Sequence, residues 1–227
     1  MKASFHKFTA ALLAACLFTL LACSSDDGGS SVVYGPTVSY GGEDYQTVVI
    51  GTQTWFARNL NYDVSGSKCY DNLESNCNKY GKLYNWATAM ALPSSCNESS
   101  CSSQISTKHK GICPSGWHLP TDTEWETLIN YVDSEDGRDR GKKLRAKSDD
   151  WADGWNDGTD DYGFSALPGG EVWADGSFQN AGFGFWWSST EFFPKYYEDK
   201  AYSWKYNGKW DSDFKSYLHS IRCLKDN

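Results

Sequence analysis

The sequence predicts a single α+β domain with about two main helices and a loop-rich, mostly antiparallel sheet. Three features carry this expectation. Thr121 to Val132 has the pattern of a capped amphipathic helix: Thr121 and Glu124 form a capping box, and Trp125, Leu128, Ile129 and Val132 make one apolar stripe. From Phe164 onward, short apolar runs alternate with turn residues, most strongly at Asn207-Gly208. Between them lie Gly-, Ser- and Asp-rich loops without periodicity, and no internal repeat interrupts the chain.

The elements follow in order. Apolar alternation from Tyr45 predicts two strands around Gly51, and residues 61–78 read as a loop. Leu83, Trp86, Ala87 and Met90 recur at helical spacing, so a helix is expected over Tyr80 to Leu92, ended by Pro93. A short basic helix is expected over Gly141 to Lys147. Strands follow at Phe164–Leu167, Glu171–Trp173, Phe185–Ser189, Ala201–Tyr206, Lys209–Phe214 and Ser220–Leu224.

The N-terminus sets the compartment. Lys2 and Lys7 precede an apolar run of about 15 residues, Phe8 to Ala22, the length of a signal-peptide core and too short to span a bilayer. Leu20-Leu21-Ala22-Cys23 resembles the lipobox of bacterial lipoproteins, which implies a signal peptide over residues 1–22 and lipidation of Cys23. An ordinary signal peptide with a chance cysteine is the alternative, and Leu13-Ala14-Ala15-Cys16 is a second, less suitable match because cutting there shortens the apolar core. Residues 23–44 read as a tether, flexible and polar over SSDDGGSS, with the domain at 45–227. Asp26 and Asp27 resemble the surface-export signals of some Gram-negative lipoproteins, so the expected place is the outer membrane, displayed at the cell surface. Cleavage removes two lysines and no carboxylate, taking the net charge from −8 to −10. That excess disfavours nucleic acid and anionic lipid surfaces. The only membrane contact expected is the anchor.

Six cysteines remain, Cys69, Cys77, Cys96, Cys101, Cys113 and Cys223, an even number in an exported chain. Spacing leaves their connectivity open; Cys69 with Cys77 and Cys96 with Cys101 would close short loops.

Six ordered motifs carry a family resemblance: VVIGTQTWFARNLNY, YGKLYNWATAM, GICPSGWHLPTDTEWE, DDYGFSALPGG, FWWSSTE and SIRCLKD. Together they resemble the Fibrobacter succinogenes major paralogous domain from about Tyr45 to Asp226. HLPTDTEWE and the closing IRC segment are more distantly similar to formylglycine-generating enzymes and C-type lectin-like folds. That likeness implies a long-range bridge from Cys113 to Cys223. It also bears on calcium: Trp155-Asn156-Asp157 resembles the calcium triplet of sugar-binding C-type lectins, but it lies elsewhere in the chain and lacks an EPN partner. Asp149, Asp150, Asp153, Asp157, Asp160 and Asp161 offer hard oxygen ligands, with Asp-Gly turns as the plain alternative. No cofactor other than calcium is suggested.

Binding is the expected role. The chain has 11 Trp, 14 Tyr and 11 Phe, more rings than its core should need, and Trp and Tyr suit stacking on sugars. A two-residue turn at Asn207-Gly208 would set Trp204 opposite Asp211 and Tyr202 opposite Asp213. Tyr202, Trp204, Tyr206, Trp210, Asp211 and Asp213, with Tyr196 and Tyr197, would then form an aromatic and carboxylate platform for polysaccharide or surface glycan. The alternatives are that the stripe packs on the core, or that the loops bind a protein in adhesion. An enzyme is the third reading: His118 is expected to be structural, Glu124 is taken by the cap beside Glu126, Glu171 and Glu191 have no assigned role, and the cysteine pair that holds copper in formylglycine-generating enzymes has only Cys223 here.

Overall fold

The computed structural model describes Met1 and residues 32–132, 141–192 and 198–227. Cys23, Tyr196 and Tyr197 lie outside the described residues.

The expected hairpin at Gly51 is present as β2 (Glu43–Ile50) and β3 (Gln53–Phe56), paired antiparallel from Ile50 and Gln53 to Thr47 and Phe56. It is preceded by a strand the sequence reading placed in the tether: β1 (Val33–Tyr40) pairs along β2 from Val33 and Val49 to Tyr40 and Glu43. Residues 33–44 therefore belong to the sheet. Val38 and Tyr40 pack against the core, which offsets the entropy of ordering them.

The expected Tyr80–Leu92 helix is broken. A helix α1 (Glu74–Tyr80) starts inside the predicted loop and ends at Gly81, whose φ is 78°. Leu83 and Tyr84 then spend their backbone groups on Lys68 and His219, and only α2 (Trp86–Ala89) is helical, capped by Asn85 Oδ1 on the Thr88 amide at 2.8 Å. Periodicity found the buried residues but not their backbone path.

After β4 (Trp117–His118) comes α3 (Asp122–Val132), which has the predicted capping box: Glu124 Oε2 accepts from the Thr121 amide at 2.9 Å and Thr121 Oγ1 from the Glu124 amide at 3.2 Å. Its four stripe residues are all buried. Residues 141–147 make a turn instead of a helix, because the Ala146 and Ala166 backbones bridge this segment to Phe164–Leu167.

β5 (Glu171–Val172) pairs with β6 (Phe178–Gln179), and β7 (Phe185–Glu191), β8 (Lys200–Lys205) and β9 (Trp210–Phe214) form a three-stranded antiparallel sheet. The last strand, β10 (Leu224–Lys225), inserts between β3 and β4, giving the order β1-β2-β3-β10-β4. Three α-helices and antiparallel sheets among the described residues make this an α+β domain.

All three expected cystines are formed: Cys69–Cys77, Cys96–Cys101 and Cys113–Cys223. The third spans 110 residues and ties the approach to α3 to the chain end. Cross-links of this span restrict the unfolded chain most, by about 4.7 kcal/mol in the chain-entropy account.

Most of the aromatic excess is core, which corrects the surface expectation. Eight of the 11 Trp are buried; Trp155 and Trp210 are half-buried and only Trp173, at 40%, is exposed. Rings pack on rings: Trp125 lies 4.8 Å from Trp55 and 4.9 Å from Trp204, with Trp186 4.9 Å beyond.

His118, buried in β4, links the helix to the terminus. Its Nε2 meets Glu124 Oε1 at 3.0 Å and its Nδ1 meets Asp226 Oδ1 at 2.6 Å. Burial pulls its pKa down, but the hydrogen bonds and charges of Glu124 and Asp226 prevail and leave it raised. A raised histidine stabilises most below its ordinary pKa and loses that contribution as pH rises through the folded value. The expected result for His118→Gln is a destabilisation of about 1.5–3 kcal/mol in mild acid that shrinks in alkali. Urea unfolding of both chains across that range measures it, and a gap that widens with pH contradicts the pairing.

Candidate functional site

The site grows from two ionisable residues set in apolar runs. Glu171 opens β5, and Val172 bridges to Leu218, which draws in His219. Tyr84 and His219 exchange backbone hydrogen bonds at 2.9 and 3.0 Å, and the imidazole stacks on Trp187 at 4.2 Å. So held, His219 donates from Nε2 to Glu171 Oε2 at 2.9 Å. Glu171 Oε1 accepts from Trp173 Nε1 at 2.9 Å and Asn180 Nδ2 at 2.6 Å. Both carboxylate oxygens are thus satisfied although the residue is buried. Burial raises the Glu171 pKa, but hydrogen bonding and charge at His219, with Trp173 and Asn180, outweigh it and leave the pKa lowered. His219 Nδ1 is buried without a partner among the described residues.

Above this pair opens a cleft of about 220 Å³ lined by Glu171, Asn180, Phe183, Phe185, Lys205, Tyr206 and Asp213. Tyr206 packs on Phe183 at 4.9 Å and Trp155 at 4.7 Å, and Arg145, fully buried, donates to its carbonyl at 3.1 Å. Lys205 pairs with Asp211 at 2.5 Å, and Ser203 Oγ donates to Asp213 Oδ2 at 2.6 Å. From Glu171 the indole of Trp173 continues outward, 6.0 Å from Tyr217 with planes 16° apart, and Tyr217 lies 5.5 Å from Phe214. A strip of rings therefore extends from the cleft.

The predicted platform is split between two faces by a shift of one residue. Trp204 pairs with Trp210 and Ser203 with Asp211, because the hairpin closes with three residues: the Lys209 carbonyl accepts from Lys205, and Gly208 alone takes positive φ, at 72°. Such a slip exchanges the faces. Tyr202, Trp204 and Trp210 share one face, where Trp204 is wholly buried against Trp125 and is no ligand contact. Asp211 and Asp213 share the other with Lys205. Of the predicted residues, Tyr206 and Asp213 line the cleft and Asp211 holds one of its walls.

The sequence reading did not assign Glu171, Asn180, Phe183, Phe185, Lys205 or Trp173 to a site. A signal was available: Glu171 and His219 are ionisable groups inside apolar strand-like runs, and such groups must find each other or another partner.

The calcium candidates do not converge. Asp157 faces Lys142 at 2.7 Å and Arg145 at 2.9 Å, Asp160 accepts from the Ser165 amide and hydroxyl at 2.7 Å, and Asp153 and Asp161 are exposed. Among the described residues the group with metal-ligand spacing is Cys69, Glu74 and Cys77, whose sulfurs form a cystine. Glu191 is also structural, bound to Lys215 at 2.5 Å and to the Cys101 amide at 2.8 Å.

Fold and site together define a cystine-stapled α+β domain with an open cleft of aromatic and ionised side chains. The sequence profile of the Fibrobacter succinogenes major domain matches residues 48–225, and the chain belongs to that family. No curated protein and no solved structure matches it.

A carboxylate with a lowered pKa stabilises above its ordinary range and loses that contribution as pH falls through the folded value. Glu171→Gln is therefore expected to destabilise by about 1–3 kcal/mol at neutral pH, with the difference shrinking in acid. Denaturation midpoints at neutral pH and in acid measure this; an unchanged midpoint at neutral pH removes Glu171 as an anchor of the site.

Proposed function

We propose that this is an exported, lipid-anchored surface protein whose domain binds polysaccharide or surface glycan without catalysis, in the cleft between β5 and the β8–β9 hairpin. The observation that carries this reading is the combination of Phe183, Phe185 and Tyr206 with polar Asn180, Lys205 and Asp213, extended by exposed Trp173. Sugars present apolar C–H faces and hydroxyl edges, and such a lining meets both. A binding role is favoured over hydrolysis because Glu171, lowered in pKa and saturated by protein donors, is a poor proton donor. The position of β10 between β3 and β4, beside the Cys113–Cys223 bridge, supports the C-type lectin-like reading.

For the anchor, the support is the lipobox at Cys23, a few residues ahead of β1. No helix of the described residues is long and apolar enough to cross a membrane. A second reading, protein-protein adhesion, has its own support in exposed Val33, Tyr34 and Val49 at the β1 edge.

On a polysaccharide array the native chain is expected to retain at least one glycan, and Trp173→Ala and Tyr206→Ala each to weaken it by more than about 1 kcal/mol. A chelator should leave retention unchanged. Retention of no glycan by folded protein defeats the binding reading. Intact mass of membrane-extracted protein should show an acylated chain beginning at Cys23, and a soluble, unacylated product ends the anchor proposal.

A further inference from the structure

The cleft is a charge filter as well as a ring-lined surface. Glu171, Asp213 and Asp211 face one lysine, Lys205, which Asp211 already neutralises at 2.5 Å. Acceptor atoms in the lining are left over. Asp213 commits Oδ2 to Ser203 and leaves Oδ1 without a donor among the described residues; Asn180 spends one amide hydrogen on Glu171 and leaves its Oδ1. The Tyr206 hydroxyl has no partner among the described residues.

Size adds a second constraint. At about 220 Å³ the cleft falls below the roughly 300–1,000 Å³ of sites that enclose a drug-sized ligand. It therefore suits one ring of a chain, whose neighbours run over the open rim toward Trp173 and Tyr217.

We propose that the cleft selects a pyranose bearing a free amine, a glucosamine-type residue within a glycan chain, and excludes uronic-acid and sulfated chains. The ammonium sits on Asp213 Oδ1 beside Tyr206, where charge pairing and cation–π attraction act together, whereas the Phe185 ring already has Lys205 Nζ over it at 5.6 Å. The sugar hydroxyls donate to Asn180 and Tyr206. A uronate or sulfate would add negative charge beside Glu171 and Asp213 and find only a lysine already paired, which is repulsive specificity. This inference rests on the cleft being a glycan site, and its test separates the two claims.

The experiment is isothermal titration of the mature chain, at physiological salt, with three probes: glucosamine oligomers, cello-oligosaccharides and oligogalacturonate. Glucosamine oligomers should bind about tenfold or more tighter than the neutral chain, and oligogalacturonate should not bind measurably. In Asp213→Asn, the ratio of glucosamine to neutral affinity should fall to near one. A preference that survives in Asp213→Asn is a general attraction of an acidic protein for a cationic chain, and overturns the assignment. So does oligogalacturonate binding as tightly as the others. Both of those results leave glycan binding standing, whereas no binding of any probe, with none on the wider array, removes the glycan reading itself. Should Asp213→Asn not fold, a lysine oligomer of equal charge on the native chain serves instead: binding as tight as that of the glucosamine oligomers marks a general attraction and overturns the assignment.

Discussion

One buried guanidinium ties the segment at the end of β3 to the Phe164–Ser165 stretch and to the end of the chain. Arg222 is wholly buried, and burial pulls its pKa down to about 9, still leaving it charged at neutral pH. Among the described residues it has no direct carboxylate partner. Instead it donates to the Phe56, Phe164 and Ser165 carbonyls and to Asn59 Oδ1, and its face lies 4.3 Å from the Phe164 ring. Asn59 carries the network on: its Oδ1 accepts from Trp186 Nε1 at 2.8 Å and its amide donates to the Tyr80 carbonyl at 2.8 Å. A charge this deep is tolerable only when its donors are satisfied, so the chain segments around it are fixed together. Asn59 in ARNL and Arg222 in SIRC are the paired centre of two of the family motifs.

How legible this was depends on the range of the interactions. The capping box and stripe of α3 are written within four- and seven-residue spacings, and they appear as read. The cystines also followed from a few residues each, once the fold resemblance had supplied the long bridge. Helix α2 was overextended because apolar spacing at Leu83, Trp86 and Met90 says what is buried, whereas the backbone path was set by Lys68 and His219, far away in sequence. The short helix at Gly141–Lys147 failed for the same reason. Residues 33–44 looked like tether because a β-edge strand with Gly35-Pro36 has weak local signals, and its worth lies in Val38 and Tyr40 meeting the core.

The site was half legible for a subtler reason. The chemistry of the β8–β9 hairpin was visible, but its register depended on Gly208 alone taking positive φ and Asn207 folding its side chain onto the Lys209 amide at 3.1 Å. One residue of slip sent Trp204 inward and left Asp211 and Asp213 with Lys205. The aromatic count misled in a related way: indoles packed on indoles make a core that absorbs most of the tryptophans. The exposed rings among the described residues are few: Trp173 and Phe214 on the strip beside the cleft, Tyr34 on β1 and Tyr131 on α3.

The cleft and the core are finished by the same final stretch of chain. His219 supports Glu171, Ser220 accepts from Asn59, Arg222 donates to Phe56 and Asn59, Cys223 closes the long bridge, Leu224 sits between Trp55 and His118, and Asp226 meets His118. Almost every one of these contacts reaches more than a hundred residues back, except that to Glu171. Long-range pairing must offset loop-closure entropy before it stabilises anything. An N-terminal portion of this chain therefore lacks the central strand, the buried guanidinium and the support of the cleft at once. Cleft and folded state are completed together, because the same His219 that supports Glu171 belongs to the segment that closes the whole domain.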